Sequence, residues 1–349
     1  MSHLSRIAFG ASVLMVAAAI AASAQAQQSV ESFYRGKQME MIIGYSPGGT
    51  YDLYARLVAR FLGNYIPGKP TIVPRNMPGA GSRAAVKWVY GIGPKDGTIL
   101  ATADQSLSVE QAMGDKQLDV DTTRLIYVGN PNADNNTTAT WYTSPVKTIA
   151  DAKVKQAVLG ATGGSTSSQY PKAMNALIGT KFKIVIGYAG GNDINLAMER
   201  GEVDGRGSNS WASWKATRPD WLRDHKINIL VQIGLTKAPD LPDVPLLMDL
   251  AANDQDRAIF RLLSAPTTIG RPVFTSPGVP PERVKALRDA FDAMVKDPAF
   301  LAEAEREHFD INPVSGEEMQ KIVQEIVATP KSTGDRLQQI IGAVGENRG

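Results

Sequence analysis

Apolar positions along this chain alternate between short continuous runs and helical spacing. Ile42 and Ile43 form one such run, Pro47, Gly48 and Gly49 follow as a turn, and Leu53, Leu57, Val58 and Phe61 then recur at the period of a helix. The pattern predicts a buried strand leading through a glycine turn into a helix. The design continues with strands over 71–73, 98–103 and 125–129, and with a helix opening at Gly81 or Ser82 that carries Val86 and Val89. A turn-rich stretch, 130–138, marks a candidate crossing between domains, after which a second series begins. That series reads strand 157–161, helix 170–177, strand 182–186, helix 193–199, then strands 203–205 and 229–233. The proline-dense stretch 237–245 reads as a return connection, and Pro280 and Pro281 open an amphipathic helix through Val284, Leu287, Phe291 and Val295, closed by Asp297 and Pro298. Strands alternating with helices predict an α/β fold with parallel sheets. No short repeat of fixed period suggests a solenoid.

The first residues change this picture. Arg6 precedes an apolar, alanine-rich run over 9–22, which is short for a membrane span, and Ala24-Gln25-Ala26 fits an A-x-A cleavage site. Residues 1–26 are therefore expected to be a cleaved signal peptide, with cleavage after Ala24 as the alternative and the periplasm as destination. The chain has 349 residues and Cys 0, so two domains of ordinary size must be held by core packing rather than disulfides. Hydrophobic content of 43% and charged content of 21% suit a globular protein. A net charge of +2 without a basic run gives no reason to expect nucleic-acid binding or a polybasic membrane patch.

Candidate chemistry lies in the glycine turns. In the first, Ser46, Pro47, Gly48 and Gly49 precede a helix that Thr50 or Asp52 can cap, leaving backbone amides directed outward at the positive end of the helix dipole. Arg75–Gly81 repeats a glycine turn before a helix. In the second series, Gly163 and Gly164 bring bare amides, with hydroxyls on Ser165, Thr166, Ser167 and Ser168. The next turn joins Tyr188 to Gly190, Gly191 and Asn192. Each turn alone reads equally as a structural βα connection. Together they fall at strand C-termini, the edge at which open α/β sheets bind ligands, and one set from each half predicts a cleft built for a small polar anion.

Other chemistries find little support. His225 and His308 are flanked by charged residues and read as surface side chains; no HExxH, CxxC or His-rich cluster predicts a metal site, and no cofactor motif is present. The segment 163–167 is not a G-x-S-x-G elbow, and the turn 91–97 misses dinucleotide spacing. Asp52 with Asp193 or Asp204 could imitate a paired-carboxylate hydrolase, but aspartates beside glycine turns are usually caps.

The segments PGGTYDLYAR, RNMPGAG, PKDGTIL, GATGGSTSS, GYAGGNDINLAMERGEVDG, TKAPDLPDVP and SPGVPPERVKAL resemble, in order, the signature segments of the Bug or TctC family, the periplasmic receptors of tripartite tricarboxylate transporters. The resemblance spans about residues 39–327. It implies a type II periplasmic-binding-protein fold, with domain 1 formed by 27–129 plus 251–349 and domain 2 by 130–250, closing around a ligand. Carried over by position, the family's carboxylate loop falls on Ser46 to Thr50 and Asp52, and its second-domain contacts on Thr162 to Ser168 and Tyr188 to Asn192. Asp204 matches a structural aspartate of the family. Two places depart from the pattern: Gln169 and Tyr170 stand where many members carry a histidine, and RGSNSWASW follows Asp204 in place of a phenylalanine-containing segment.

The resulting expectation is a non-enzymatic receptor, acting as a monomer, that captures a small organic carboxylate and delivers it to membrane permease subunits. The alternatives are a sensor presenting the same ligand to a signalling receptor and, further off, a periplasmic hydrolase. Glycine-loop amides should grip the carboxylate, so a β-branched residue at Gly49 should crowd the amide and forbid a positive φ. Ser208, Asn209, Trp211 and Trp214 are candidates for a specificity wall. With few basic side chains in the loops, such a wall points to a monocarboxylate or dicarboxylate with an apolar body rather than to citrate.

Overall fold

The computed structural model describes residues 30–343; the expected signal peptide and its cleavage site lie outside them. Eleven strands among the described residues form two separate sheets. The first contains β1 (Gln38–Ile43), β2 (Thr71–Asn76), β3 (Ile99–Thr102), β4 (Ile126–Asn130), β10 (Val273–Thr275) and β11 (Val314–Ser315), in the order β11-β4-β10-β3-β1-β2. The second contains β5 (Asn136–Trp141), β6 (Gln156–Ala161), β7 (Lys181–Ile186), β8 (Gly205–Ser210) and β9 (Ile227–Ile233), in the order β7-β6-β8-β5-β9.

The two sheets share one plan. β1 runs parallel to β2 and β3, as β6 does to β7 and β8, because each of these connections crosses through a helix. The strand inserted between the third and fourth is antiparallel in both: β10 lies between β3 and β4, and β5 between β8 and β9. Each inserted strand is the first to follow a passage of the chain from the other half. The expected parallel reading is corrected at these two strands, where the chain enters a sheet after crossing over and runs against its neighbours, and at the edge strand β11, which pairs antiparallel with β4.

Helices that matter for the site are α1 (Thr50–Leu62), α2 (Leu107–Ala112), α3 (Thr166–Ile178), α4 (Gly191–Glu199) and α5 (Trp211–Thr217). α1 lays Leu57, Val58 and Leu62 against Met39, Met41 and Ile43 of β1, in a core that also takes Leu287 and Phe291 from α6 (Pro281–Met294). α6 starts at Pro281, whose missing N–H is one that a first helical residue does not use. The last helix, α7 (Lys331–Ala343), packs on both α2 and α3, so apolar contact is continuous from one half to the other.

The centre of the second sheet is unusual in composition. All six residues of β8, Gly-Arg-Gly-Ser-Asn-Ser, are buried, and none is apolar beyond glycine. Its neighbour β5 brings threonine hydroxyls that donate to β8 carbonyls: Thr137 Oγ1 to Asn209 O at 3.0 Å and Thr138 Oγ1 to Gly207 O at 2.9 Å. These hydroxyls are satisfied within the sheet, whereas Asn209 Nδ2, also buried, has no hydrogen-bond partner among the described residues. Strand 203–205 of the sequence reading is thus replaced by 205–210, and the turn-rich 130–138 contains the start of β5.

Candidate functional site

The glycine turns meet in pairs across the gap between the sheets. In the first pair, the turn after β1 faces the turn after β7: Ser46 N donates to Ala189 O at 3.3 Å, and Ser46 Oγ donates to Asp193 Oδ2 at 2.7 Å. Gly190 backs onto Ser46 so closely that a Cβ there would collide with Ser46 Oγ. In the second pair, the turn after β2 meets the turn after β6, where Gly81 lies against Gly164. Thr50 Oγ1 also reaches across, to Ser213 Oγ of α5 at 3.0 Å, and Arg271 Nη2 donates to Ser210 Oγ. The cleft is closed.

Between these contacts lies a cavity of about 60 Å³. The half built on β1 contributes Gly48, Gly49 and Thr50 together with Tyr45, Tyr51 and Asp104. The other half contributes Thr162, Ser165, Thr166 and Ser167 at the start of α3, then Gly191, Asn192 and Asn195 of α4. β8 supplies Arg206, Ser208 and Asn209, and α5 supplies Ser213. Eleven of the residues predicted from sequence thus share one cavity: Gly48, Gly49, Thr50, Thr162, Ser165, Thr166, Ser167, Gly191, Asn192, Ser208 and Asn209.

The remaining predicted residues are placed otherwise. Asp52 is turned into the scaffold, where its carboxylate accepts from Gly48 N at 3.0 Å, Arg56 Nε at 2.8 Å and Asn76 Nδ2 at 2.8 Å; it shapes the first loop and does not line the cavity. Burial opposes its charge, yet these three donors hold its carboxyl below the usual aspartate range. Ser46, Pro47 and Gly190 lie outside the lining, with Ser46 and Gly190 in the contact between halves; Gly163 and Gly164 face the loop 80–83; Ser168 Oγ folds back to Gly163 O and Ser165 O; and Tyr188 packs on the cluster around Ile194. The positive φ of the first loop is at Gly48, at +86°, whereas Gly49 has φ −86°, so the expected backbone constraint belongs one residue earlier.

The expected tryptophan wall is not formed. Trp214 is fully buried, its Nε1 donating to Thr137 Oγ1 at 2.9 Å and its ring 5.9 Å from that of Trp221. Trp211 turns outward, its Nε1 donating to Asp240 Oδ2 at 2.9 Å. Three positions apart, the two would share one side of a regular helix, but Trp211 is the first residue of α5 and bonds outward to Asp240 while Trp214 bonds inward to Thr137, and neither lines the cavity.

Sequence reasoning missed the charged groups. Arg206 is 7% exposed and lines the cavity, with its guanidinium 5.4 Å from the Trp214 ring centroid. Its Nε donates to Ser208 O at 3.1 Å, and its Nη1 to Gly191 O at 3.2 Å and Asn195 Oδ1 at 2.9 Å, all uncharged acceptors. Its pKa is pulled down to about 9, chiefly by burial and further by the charge of Arg218, which still leaves it a cation at neutral pH. Arg218 itself donates to Asn192 Oδ1 at 2.9 Å from beside the same loop. Opposite in sign, Asp104 is 3% exposed, and its carboxylate accepts from Tyr45 O–H at 2.6 Å and Ser106 N at 2.9 Å. Burial, then the Asp104 charge, raises both Tyr45 and Tyr51 well above the ordinary tyrosine value, so both hydroxyls stay neutral. Arg206 was hidden because it stands in a strand with no hydrophobic alternation to announce it.

Neither a family model nor a curated protein matches the chain. Solved structures do. The periplasmic binding protein BugD is 18% identical and superposes with a TM-score of 0.68, covering 89% of this chain and 99% of its own. The chain has the fold of the periplasmic binding proteins. MatC from Rhodopseudomonas palustris, solved with bound malate, is 17% identical at a TM-score of 0.66, over 88% of this chain and 99% of that one. A further R. palustris protein, solved with adipate, is 19% identical at 0.67, over 88% and 98%. In all of these the likeness extends over nearly the whole described chain, which includes both sheets and the cleft between them. Among the described residues, no group of three His, Cys, Asp or Glu side chains could hold a metal ion, and His225 and His308 are exposed.

Proposed function

We propose that the chain is an exported solute receptor of the Bug or TctC type, which captures a small carboxylate between two lobes and delivers it to the membrane permease of a tripartite tricarboxylate transporter. The observation that carries this reading is the closed cavity between the sheets, where helix-start amides at Gly49 and Gly191 and the uncompensated Arg206 cation converge. An isolated buried cation costs several kcal/mol, and an anionic ligand offsets that cost. The order of the seven sequence segments and the malate and adipate seen in structural neighbours support the same class of ligand. In this reading residues 1–26 direct export and are removed, residues 27–129 with 251–349 form one lobe, residues 130–250 form the other, and the monomer binds without performing chemistry. Contacts from both lobes reach one anion only when the cleft is shut, so binding drives closure.

Thermal-shift screening of the mature protein against a carboxylate library tests the reading, because a ligand that binds only the folded state raises its apparent stability. The expected hit also lowers the radius of gyration in small-angle scattering. A library without hits would remove the receptor assignment.

A further inference from the structure

Two ionisable side chains line the cavity without a counter-ion. Arg206 bonds only uncharged acceptors, and Asp104 is held only by a tyrosine hydroxyl and a backbone amide; neither forms an ion pair among the described residues. Both are more than nine-tenths buried, and they belong to opposite halves, Arg206 to β8 and Asp104 to the segment after β3. Each is set in place by neutral groups: Trp214 and Asn195 back the guanidinium, and Tyr45 and Ser106 fix the carboxylate. A buried cation from one half and a buried anion from the other, both lining one cavity without an ion-pair partner among the described residues, are left to be satisfied by whatever enters.

We propose that this cavity selects a compact zwitterion of the α-amino acid class, its carboxylate toward Arg206 and the amides of Gly49 and Gly191, its ammonium toward Asp104. The assignment rests on the receptor reading above and narrows it. Asp104 repels a second carboxylate placed on its side of the cavity, which disfavours dicarboxylates, and accepts a charged donor there. Size agrees: about 60 Å³ is well under the roughly 150 Å³ apolar cavity that admits benzene, so an aromatic or long-chain acid is too large for the closed state.

The test is isothermal titration calorimetry of the mature wild-type protein with glycine, L-alanine, propionate, ethylamine, malate and adipate. L-Alanine or glycine is expected to bind, with propionate and ethylamine at least about 30-fold weaker, since each leaves one buried charge unanswered. Asp104→Asn should lower L-alanine affinity by a similar factor and leave propionate affinity unchanged or improved; Arg206→Gln should weaken both acids. Because the wild-type panel decides by itself, a variant that fails to fold does not remove the test. Propionate bound as tightly as L-alanine, or an Asp104→Asn protein that binds L-alanine unchanged, would overturn the zwitterion assignment. Tight malate or adipate binding without amino acid binding would overturn it while leaving the receptor reading in place, whereas no binding by any carboxylate in this panel or the wider library would remove both.

Discussion

Ser46 and Asp193 lie 147 positions apart in sequence and join the two halves, Ser46 Oγ donating to the Asp193 carboxylate at 2.7 Å. Ser46 lies in the turn between β1 and α1, and Asp193 lies in the first turn of α4, so the bond ties together the two helix starts that border the cavity. Hydrogen bonds to charged groups contribute about 1.5–3 kcal/mol. Because this one exists only in the shut cleft, its loss falls on closure rather than on either lobe's core.

Ser46→Ala is therefore expected to weaken the best ligand of a carboxylate screen by roughly tenfold. Calorimetric titration of variant and parent checks it. Equal dissociation constants would show that the bond contributes nothing to the closed state.

Gly48 and Gly190 separate backbone strain from obstruction. Gly48 sits at φ +86°, and Gly48→Ala is expected to cost about 1–2 kcal/mol of folding stability in a urea titration. Gly190 has extended backbone that any residue adopts, but a Cβ there would meet Ser46 Oγ. Gly190→Ala should thus leave the urea midpoint close to the parent's and hold the cleft open, abolishing the ligand-induced compaction seen by small-angle scattering. Normal compaction in that variant would mean that the loops have room to part.

The tryptophans of α5 should differ sharply. Trp214 is fully enclosed with Trp221 and Ala139, donates to Thr137, and supports Arg206, so Trp214→Ala is expected to cost about 3–5 kcal/mol by chemical denaturation. Trp211 is half-buried against Lys215, and Trp211→Ala should change stability by about 1 kcal/mol or less and leave affinity unaltered. A loss of affinity in Trp211→Ala with unchanged stability would restore the aromatic wall that the sequence suggested.

Acid should act through Asp52. Its carboxyl is depressed in the folded state: burial raises it, but Arg56, Gly48 N and Asn76 together lower it further. A depressed carboxyl contributes stability that is complete above the unfolded value of about 4 and disappears as pH falls through the folded value. Asp52→Asn should accordingly lower stability at pH 7 and flatten the part of the acid limb below about pH 4, read from urea midpoints across pH. Parallel curves for the two proteins would mean that Asp52 does not couple the loop to protonation.

The strand-turn-helix order was legible in the chain because its signals are local. β1 and α1 follow from Ile42 and Ile43, the glycine turn, and the helical spacing of Leu53 to Phe61, and the structure differs there only at element ends. The same holds for β6, α3, β7 and α4, whose apolar faces alternate with glycine turns. Gly48, Gly49, Ser165, Ser167, Gly191 and Asn192 could be named as one site from sequence, since turns at strand C-termini share a sheet edge.

What the chain alone determined is therefore the α/β series and the helix-start loops, because periodicity, glycine turns and capping act over a few residues. The tertiary structure decided the rest. β5 and β8 carry threonine, asparagine, serine and glycine in a buried sheet centre, where neighbouring strands supply the hydrogen bonds that apolar alternation cannot signal. The antiparallel places of β10, between β3 and β4, and of β5, between β8 and β9, depend on where the chain crosses between the halves. Arg206 and Asp104 face one cavity only because two sheets built from distant sequence close on each other, and charge becomes costly, and so selective, only after that closure has removed water.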